Sequence, residues 1–372
     1  MKIPFQEYHL FQILRRFENQ NLPLDLFLST YFRAHHALGS KDRQFIAETV
    51  YGMTKWRLLI DHLTEGHPSW EKRFATYKYF DPITYRPTSS VPLHIRYSCP
   101  EELWNQLVRD YGEERAIQLG LIFNTEAPLT IRINPLKTTR EALLKKWEGC
   151  YEVSPCMHSH LGIFFKKRTA LVSLPEFKEG LFEIQDEASQ LVSFLVAAQP
   201  KEHVLDYCAG AGGKTLGFAP FLKNQGQIYL HDIRPHALEQ ARKRLKRAGI
   251  QNGQFGPPLS PLKNKMDWVL TDVPCSGTGT WRRNPDQKWK FSNEVLSRLI
   301  QQQREIFEQA VQYVRVGGKI VYATCSLLKE ENEKQVEFFL SKYPLRATEK
   351  LFSSLPSEGG MDGFFAVVLE KF

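Results

Sequence analysis

Apolar residues fall into three patterns along the chain. Over roughly the first 70 residues they recur at helical spacing. Leu10, Leu14 and Phe17 share one face, and Phe45, Ile46, Val50, Met53, Trp56, Ile60 and Leu63 share another. Ser40 stands where it can cap that second, longer helix. Residues 67 to 92, ending in "KYFDPITYRPTSSVP", mix aromatics, prolines and serines and read as a linker or long loop. A mixed stretch follows: "PEELWNQLVRDYG" and "TREALLKKWEG" suit helices, "LTIRINP" and "GIFFKKR" suit strands, and together they predict a small α+β unit. From about residue 175 short apolar strands ("HVLDYC", "QIYLHD", "DWVLTDV", "KIVYATCS") alternate with amphipathic helical stretches. That alternation predicts a doubly wound, mostly parallel sheet, whose ligands bind at the carboxyl ends of the strands. The expected domains are a helical one over 1–75, a linker over 76–90, an α+β connector over 91–174 and an α/β domain over 175–372.

Composition changes this picture little. The 372 residues are 42% hydrophobic and 24% charged, enough for several buried cores. No run approaches the ~20 apolar residues of a membrane helix. Polar residues break every apolar run of "MKIPFQEYHLFQILRRF", so a secretory leader is not expected and the chain reads as cytoplasmic. Six cysteines in a reducing compartment predict free thiols rather than disulfides. Cys150, Cys156, His158 and His160 lie close in sequence, but their spacing matches no common zinc module, so no metal is expected. The net charge of +8 is a moderate pointer to a polyanionic partner.

The chemistry-bearing motifs end strands. "VLDYCAGAGGKT" (204–215) is a strand, a glycine turn and a helix start; Gly210, Gly212 and Gly213 let backbone amides approach a ligand closely. A phosphate-loop reading fails because position 208 is Cys208, and a dinucleotide fingerprint fails at Thr215. Asp232 ends the next strand, 20 residues after Gly212, where an acid can accept hydrogen bonds from ribose hydroxyls; its alternative is a cap on the helix near Pro235. A ribose site without a phosphate signature suits S-adenosylmethionine. Asp272 and Cys275 follow a third strand, and Cys325 follows a fourth. Cytosine C5 is too weak a nucleophile to take a methyl group unaided. A thiolate adding to C6 creates an enamine, a carboxyl near N3 assists, and a second thiol can help release the product.

"DYCAGAGGKT", "DVPCSGTGTWRRNPDQKW", "ATCSLLKEENE" and "EGGMDGFFAVVLEKF" resemble the Fmu/Sun family of RNA (cytosine-5) methyltransferases over about residues 175–372. The front half resembles the bacterial 16S ribosomal RNA members. "KDRQFIAETVYGMTKWRLLID" looks like part of a NusB-like RNA-binding domain. "IRINPLKTTREALL" looks like an RRM-like connector, and "EGLFEIQDEASQLV" looks like the start of the catalytic domain. The resemblance implies a Rossmann-like methyltransferase domain and a cofactor, S-adenosylmethionine, held by Cys208, Ala209, Gly210, Ala211, Gly212, Gly213 and Lys214, with Asp232 on the ribose. It implies Asp272 between cofactor and cytosine, Cys325 as nucleophile, Cys275 as the releasing thiol and Lys214 as a further site residue.

Two departures stand out. Gly210-Ala211 replaces the family's frequent alanine-proline, which should alter loop stiffness more than ligand choice. The segment "IQNGQFGPPLSPLKNKMD" lacks the acid that usually meets adenine, leaving backbone groups or Asn252.

The expected partner is RNA, best 16S rRNA or a small-subunit precursor, bound by a monomer. Arg282 and Arg283 directly follow the catalytic loop and are placed to touch phosphates, with Trp281 or Trp289 stacking or packing. The run of cations between Arg234 and Arg247 reads as a solvated helix face. A tRNA methyltransferase, a DNA or small-molecule methyltransferase and a non-catalytic assembly factor are the alternatives. Because Cys325 precedes "SLLKEENEKQVEFFL", a helix start is expected to favour its thiolate, while Asp272 opposes ionisation of Cys275.

Overall fold

The computed structural model describes residues 3–18, 20, 22–64, 68–81 and 91–372. The chain divides into two compact units, residues 1–126 with 280–295, and residues 127–279 with 296–372.

The first unit is helical: α1 (Phe5–Phe17), α2 (Leu24–Ala34), α3 (Ser40–Lys55), α4 (Arg57–Thr64), α5 (Trp70–Lys78), α6 (Leu93–Arg96), α7 (Glu101–Tyr111) and α8 (Glu113–Ile122). Its core gathers the apolar faces of α1, α3 and α4, with Leu10, Ile13, Ile46 and Val50 fully buried. Ser40 is the first helical residue rather than the cap. Asp42 instead accepts the Gly39 amide at 3.0 Å. The expected long helix breaks at Trp56. The stretch expected to be a loop holds α5, because Phe74 buries itself in the core and Ser69 Oγ accepts the Lys72 amide. Residues 82–90 of the expected linker lie outside the described residues. Helices α6 to α8 lie within this compact unit.

The second unit begins with β1 (Leu129–Ile133), α9 (Arg140–Trp147), β2 (Val153–Pro155), β3 (Gly162–Phe165), α10 (Pro175–Lys178), β4 (Phe182–Ile184) and α11 (Glu187–Phe194). The four strands form an antiparallel sheet in the order β2-β3-β1-β4. Thr139 caps α9 by accepting the Ala142 amide at 3.1 Å.

The large sheet follows: β5 (His203–Asp206), α12 (Thr215–Phe218), β6 (Gln227–Leu230), α13 (Pro235–Ala248), β7 (Gly253–Phe255), β8 (Met266–Asp272), α14 (Asn293–Ala310), β9 (Val314–Thr324), α15 (Glu333–Lys342), β10 (Leu345–Ser354) and β11 (Phe364–Lys371). Its order is β10-β11-β9-β8-β5-β6-β7. Strands β9, β8, β5, β6 and β7 run parallel and β11 antiparallel. Alternate side chains of β5 and β8 feed two cores, Val204, Trp268 and Leu270 on one face and Leu205 and Val269 on the other. Helices cover both faces, so the order reverses between β5 and β8. A crevice must open at the carboxyl ends on either side of that point.

The cation run of α13 is only partly solvated. Arg244 and Arg247 both bond buried Glu183 of β4, and Arg244 also donates to the Ala211 carbonyl at 2.8 Å. Arg132 of β1 is buried beside them, and burial, opposed by the Glu183 charge, pushes it down to about 9.

Candidate active site

The carboxyl ends of β5, β6, β8 and β9 surround a cavity of about 730 Å³, within the usual range for small-molecule sites. β5 ends in Asp206 and hands the chain to the glycine turn. Gly210 (φ +52°) and Gly212 (φ +75°) adopt the left-handed conformation that glycine tolerates. Gly212 also lets α13 approach, since a Cβ there would stand 3.2 Å from that of Ala241. Asp232, just past β6, closes the turn by accepting the Gly210 amide at 2.8 Å. It also takes the Arg234 amide at 2.9 Å and the Arg234 guanidinium at 2.9 and 3.0 Å. Burial works against the charge, but these bonds outweigh it and hold the carboxyl below its ordinary range. The residue preceding α13 is Arg234, which offers no side-chain cap; Asp232 bonds its amide but spends its remaining capacity on the glycine turn and the Arg234 side chain.

Lys214 closes the turn and is buried. Its Nζ donates to Asp272 Oδ2 at 2.6 Å. Burial alone would lower it, but the Asp272 charge and hydrogen bond raise it, with a further contribution from Cys325. The ammonium therefore stays charged between the acid and the nucleophile candidate. Cys275 Sγ and Cys325 Sγ are 3.4 Å apart. Cys275 is pushed well above the ordinary thiol value by its hydrogen bond to Cys325, by burial and by the charge of Glu331. It therefore keeps its proton. The opposing carboxylate is thus Glu331, where Asp272 was expected.

Glu331 was invisible as a site residue within "KEENE". It is fully buried and accepts the Ser276 amide at 2.9 Å, Ser276 Oγ at 2.5 Å and Gln303 Nε2 at 2.9 Å, so it clamps the loop that carries Cys275. The expected helix start at Cys325 is absent. Residues 326–332 form a turn in which Asn332 takes the Thr324 hydroxyl at 2.6 Å and donates to the Ser326 carbonyl at 2.9 Å, and α15 begins only at Glu333. The cation that interacts with Cys325 is Lys214. A third loop joins the site: Gly279 donates to the Cys325 carbonyl at 2.9 Å and Gly363 to the Gly279 carbonyl at 3.0 Å. A Cβ on Gly279 would lie 2.0 Å from the Gly363 carbonyl oxygen, so only glycine fits there.

The cavity suits a nucleoside with an amino-acid tail. Two of its lining residues carry buried oxygens without a hydrogen-bond partner, Asp206 Oδ1 and Gln185 Oε1. A Cβ on Gly213 would meet nothing within 4 Å, so the turn leaves open space on its cavity side. Asp206 gives up one oxygen to Thr215 Oγ1 at 2.6 Å, and burial pushes it up to about 7. Cys208, Ala209, Gly210, Ala211, Gly213, Lys214, Asp232, Asp272, Cys275 and Cys325 all line the same cavity, while Gly212 turns toward α13. Burial and the charges of Asp206, Asp272 and Asp232 raise Cys208 well above the ordinary thiol value, which keeps it neutral.

Two expectations, Asn252 and Arg282, fail on position, and the tryptophans take the packing alternative. Asn252 precedes β7, at the opposite edge of the sheet from the cavity, where its Nδ2 donates to the Gln225 carbonyl at 3.2 Å. Arg282 is 3% exposed and so cannot present its guanidinium to phosphate; Arg283 is half-buried. Trp281 is buried between Phe123 and Phe291, with ring centroids 5.7 and 5.9 Å away. Trp289 donates to the Thr54 carbonyl at 3.0 Å. Trp281 therefore packs inside the helical unit, and Trp289 is half-buried against it. Of the Cys150–His160 group, Cys156 is buried and Cys150 exposed.

Sheet order, glycine turn and paired thiols define a methyltransferase-type α/β domain. Residues 193–370 match the family described as 16S rRNA methyltransferase RsmB/F. Residues 99–171 match its ferredoxin-like domain. A Synechocystis protein named "Probable ribosomal RNA small subunit methyltransferase B" is 32% identical over 305 residues, covering 76% of this chain and 68% of that protein. Ribosomal RNA small subunit methyltransferase B of Proteus mirabilis is 36% identical over 289 residues, covering 74% and 66%. The chain thus spans about two thirds of the length of these curated relatives. The crystal structure of PH0851 shares the fold, with a TM-score of 0.83 at 23% identity over 100% of both chains. The chain belongs to the RsmB/F family of 16S rRNA methyltransferases.

Proposed function

We propose that this protein transfers a methyl group from S-adenosylmethionine to C5 of an unpaired or flipped-out cytosine in RNA, and that the RNA is 16S rRNA in the small ribosomal subunit or its precursor. The observation that carries this reading is the 3.4 Å thiol pair beside the Lys214–Asp272 ion pair, all in one cavity with the glycine turn. The cofactor supplies an electrophilic methyl group on a sulfonium centre. The turn from Cys208 to Lys214 and the carboxylates of Asp206 and Asp232 would hold its tail and ribose. Cys325, with Lys214 nearby, adds its thiolate to cytosine C6 and makes C5 nucleophilic. The proton shared across the 2.6 Å Lys214–Asp272 bond is available at N3 as ring electrons move there. Cys275 holds its proton until after transfer. It then loses that proton to solvent and, as a thiolate, accepts the C5 proton; the C5–C6 double bond re-forms as the C6–S bond breaks, and Cys325 leaves as a thiolate.

We assign the helical unit as NusB-like and RNA-binding, the connector as RRM-like and the large sheet as Rossmann-like. A monomer in the cytoplasm fits this assignment; no helix among the described residues is long and apolar enough to cross a membrane. Arg283 remains the candidate phosphate contact. Transfer of tritium from labelled S-adenosylmethionine to RNA but not DNA tests the activity, and bisulfite sequencing of RNA from a deletion strain tests the substrate. Loss of no 16S methylcytosine in that strain would refute the assignment to 16S rRNA.

A further inference from the structure

The cavity has more polar wall than methyl transfer uses. The thiols and the Lys214–Asp272 pair mark the reacting end, and Asp232 beside Gly210 marks the ribose. The Gln185 amide nitrogen is occupied, donating to Ser189 Oγ at 3.0 Å and to the Gly213 carbonyl at 3.3 Å, while its Oε1 has no partner among the described residues. One further stretch of the lining is a face of α14: Gln302, Glu305, Ile306 and Gln309. These sit at i, i+3, i+4 and i+7, the spacing that puts side chains in one row. The base of a nucleoside has to lie beyond its ribose, away from the reacting end, and this row offers it a wall with amide groups that are free among the described residues. Residues 250–266 contain no aspartate or glutamate, so the end of β7 brings no acid to the base.

Within the row, Gln302 is half-buried, while Glu305 and Gln309 are exposed. Its sequence neighbours are committed: Gln301 donates to Glu305 at 2.9 Å, and Gln303 to the Pro274 carbonyl at 3.0 Å and to Glu331. Among the described residues the Gln302 amide has no hydrogen-bond partner. A glutamine amide matches adenine well, because its oxygen accepts from the 6-amino group and its nitrogen donates to a ring nitrogen.

We propose that Gln302 reads the 6-amino edge of the adenine of S-adenosylmethionine, with Ile306 one turn further on against the ring. This assignment rests on the cofactor reading above and makes Gln302 a specificity residue, not a catalytic one.

Calorimetry with two ligands tests it: S-adenosylhomocysteine, and its analogue with hydrogen in place of the 6-amino group. Wild type should prefer the amino ligand about fivefold, the scale of one neutral hydrogen bond. Gln302→Leu should bind both equally, and Gln302→Glu, which keeps an oxygen acceptor, should restore the preference. A Gln302→Leu protein with the full preference, or a wild type with none, overturns the assignment of Gln302 alone. A wild type that binds neither ligand overturns the cofactor reading with it.

Discussion

Asp206 lets the buried electrostatics of the site be measured without substrate. It is 1% exposed, one oxygen is bonded to Thr215 and the other has no partner. Lys214 favours its charge, whereas Asp272 and Asp232 oppose it, and burial dominates all three. The carboxyl therefore moves from 3.8 in the unfolded chain to about 7 in the fold. The folded state holds a proton that the unfolded state has already lost between those two values. Stability from this group is thus fully present below about pH 4 and is lost as pH rises through about 7. About three pH units at 1.36 kcal/mol each give a ceiling of about 4 kcal/mol. Asp206→Asn keeps an oxygen for Thr215 and removes the titration. In urea unfolding without cofactor, the variant should gain stability relative to wild type from about pH 4 to about pH 7 and level off above that. A difference that stays flat across that range would refute the argument, because it would mean that Asp206 titrates alike folded and unfolded.

The thiols should separate on denaturing gels with labelled RNA: Cys325→Ala should transfer no methyl and form no adduct, whereas Cys275→Ala should accumulate protein crosslinked to RNA. The reverse pattern would exchange their roles. Asp232→Ala should weaken S-adenosylmethionine binding by ~1–3 kcal/mol, the scale for hydrogen bonds to a charged group; unchanged calorimetric affinity would remove it from the site. The arginines should also part company. Arg283→Ala should flatten the salt dependence of RNA binding by roughly one unit of slope. Arg282→Ala should leave the slope alone and cost ~1–3 kcal/mol of stability, the scale of losing a buried polar group's partners. Equal slopes for Arg283→Ala and wild type would contradict the phosphate contact.

Local chemistry made the strand ends legible. β5, β6, β8 and β9 each close on an acid or a thiol, and alternation with helices is enough to bring those four ends together. What sequence pattern could not show was long-range burial. "WRRNPDQKW" reads as a basic, aromatic RNA contact, yet Trp281, Arg282 and Lys288 are buried because the segment completes a helical core that begins more than 150 residues earlier. Glu331 looks like one of several surface acids in "KEENE", and only the fold turns it onto Ser276 and Gln303. β2 and β4 are three residues each, too short to show alternation. Asn252 failed because polarity reveals neither end of a strand.

The Lys288 ammonium is fully buried and bonds the Lys55 and Ser98 carbonyls and Asn124 Oδ1 at 2.8, 3.0 and 2.8 Å. Residues 280–295, which carry it, belong to the helical unit although they interrupt the sequence of the sheet unit. The two units therefore cannot be cut apart as consecutive blocks. A chain shortened to residues 175–372 would keep every motif of the site, but it would strand Trp281, Lys288 and Trp289 without the carbonyls and rings that enclose them. A chain ending at residue 126 would have an unfilled hole in its core. Domain grafting within this architecture requires carrying both stretches together, or replacing the loop between Gly279 and Leu296 with one that has no core to fill.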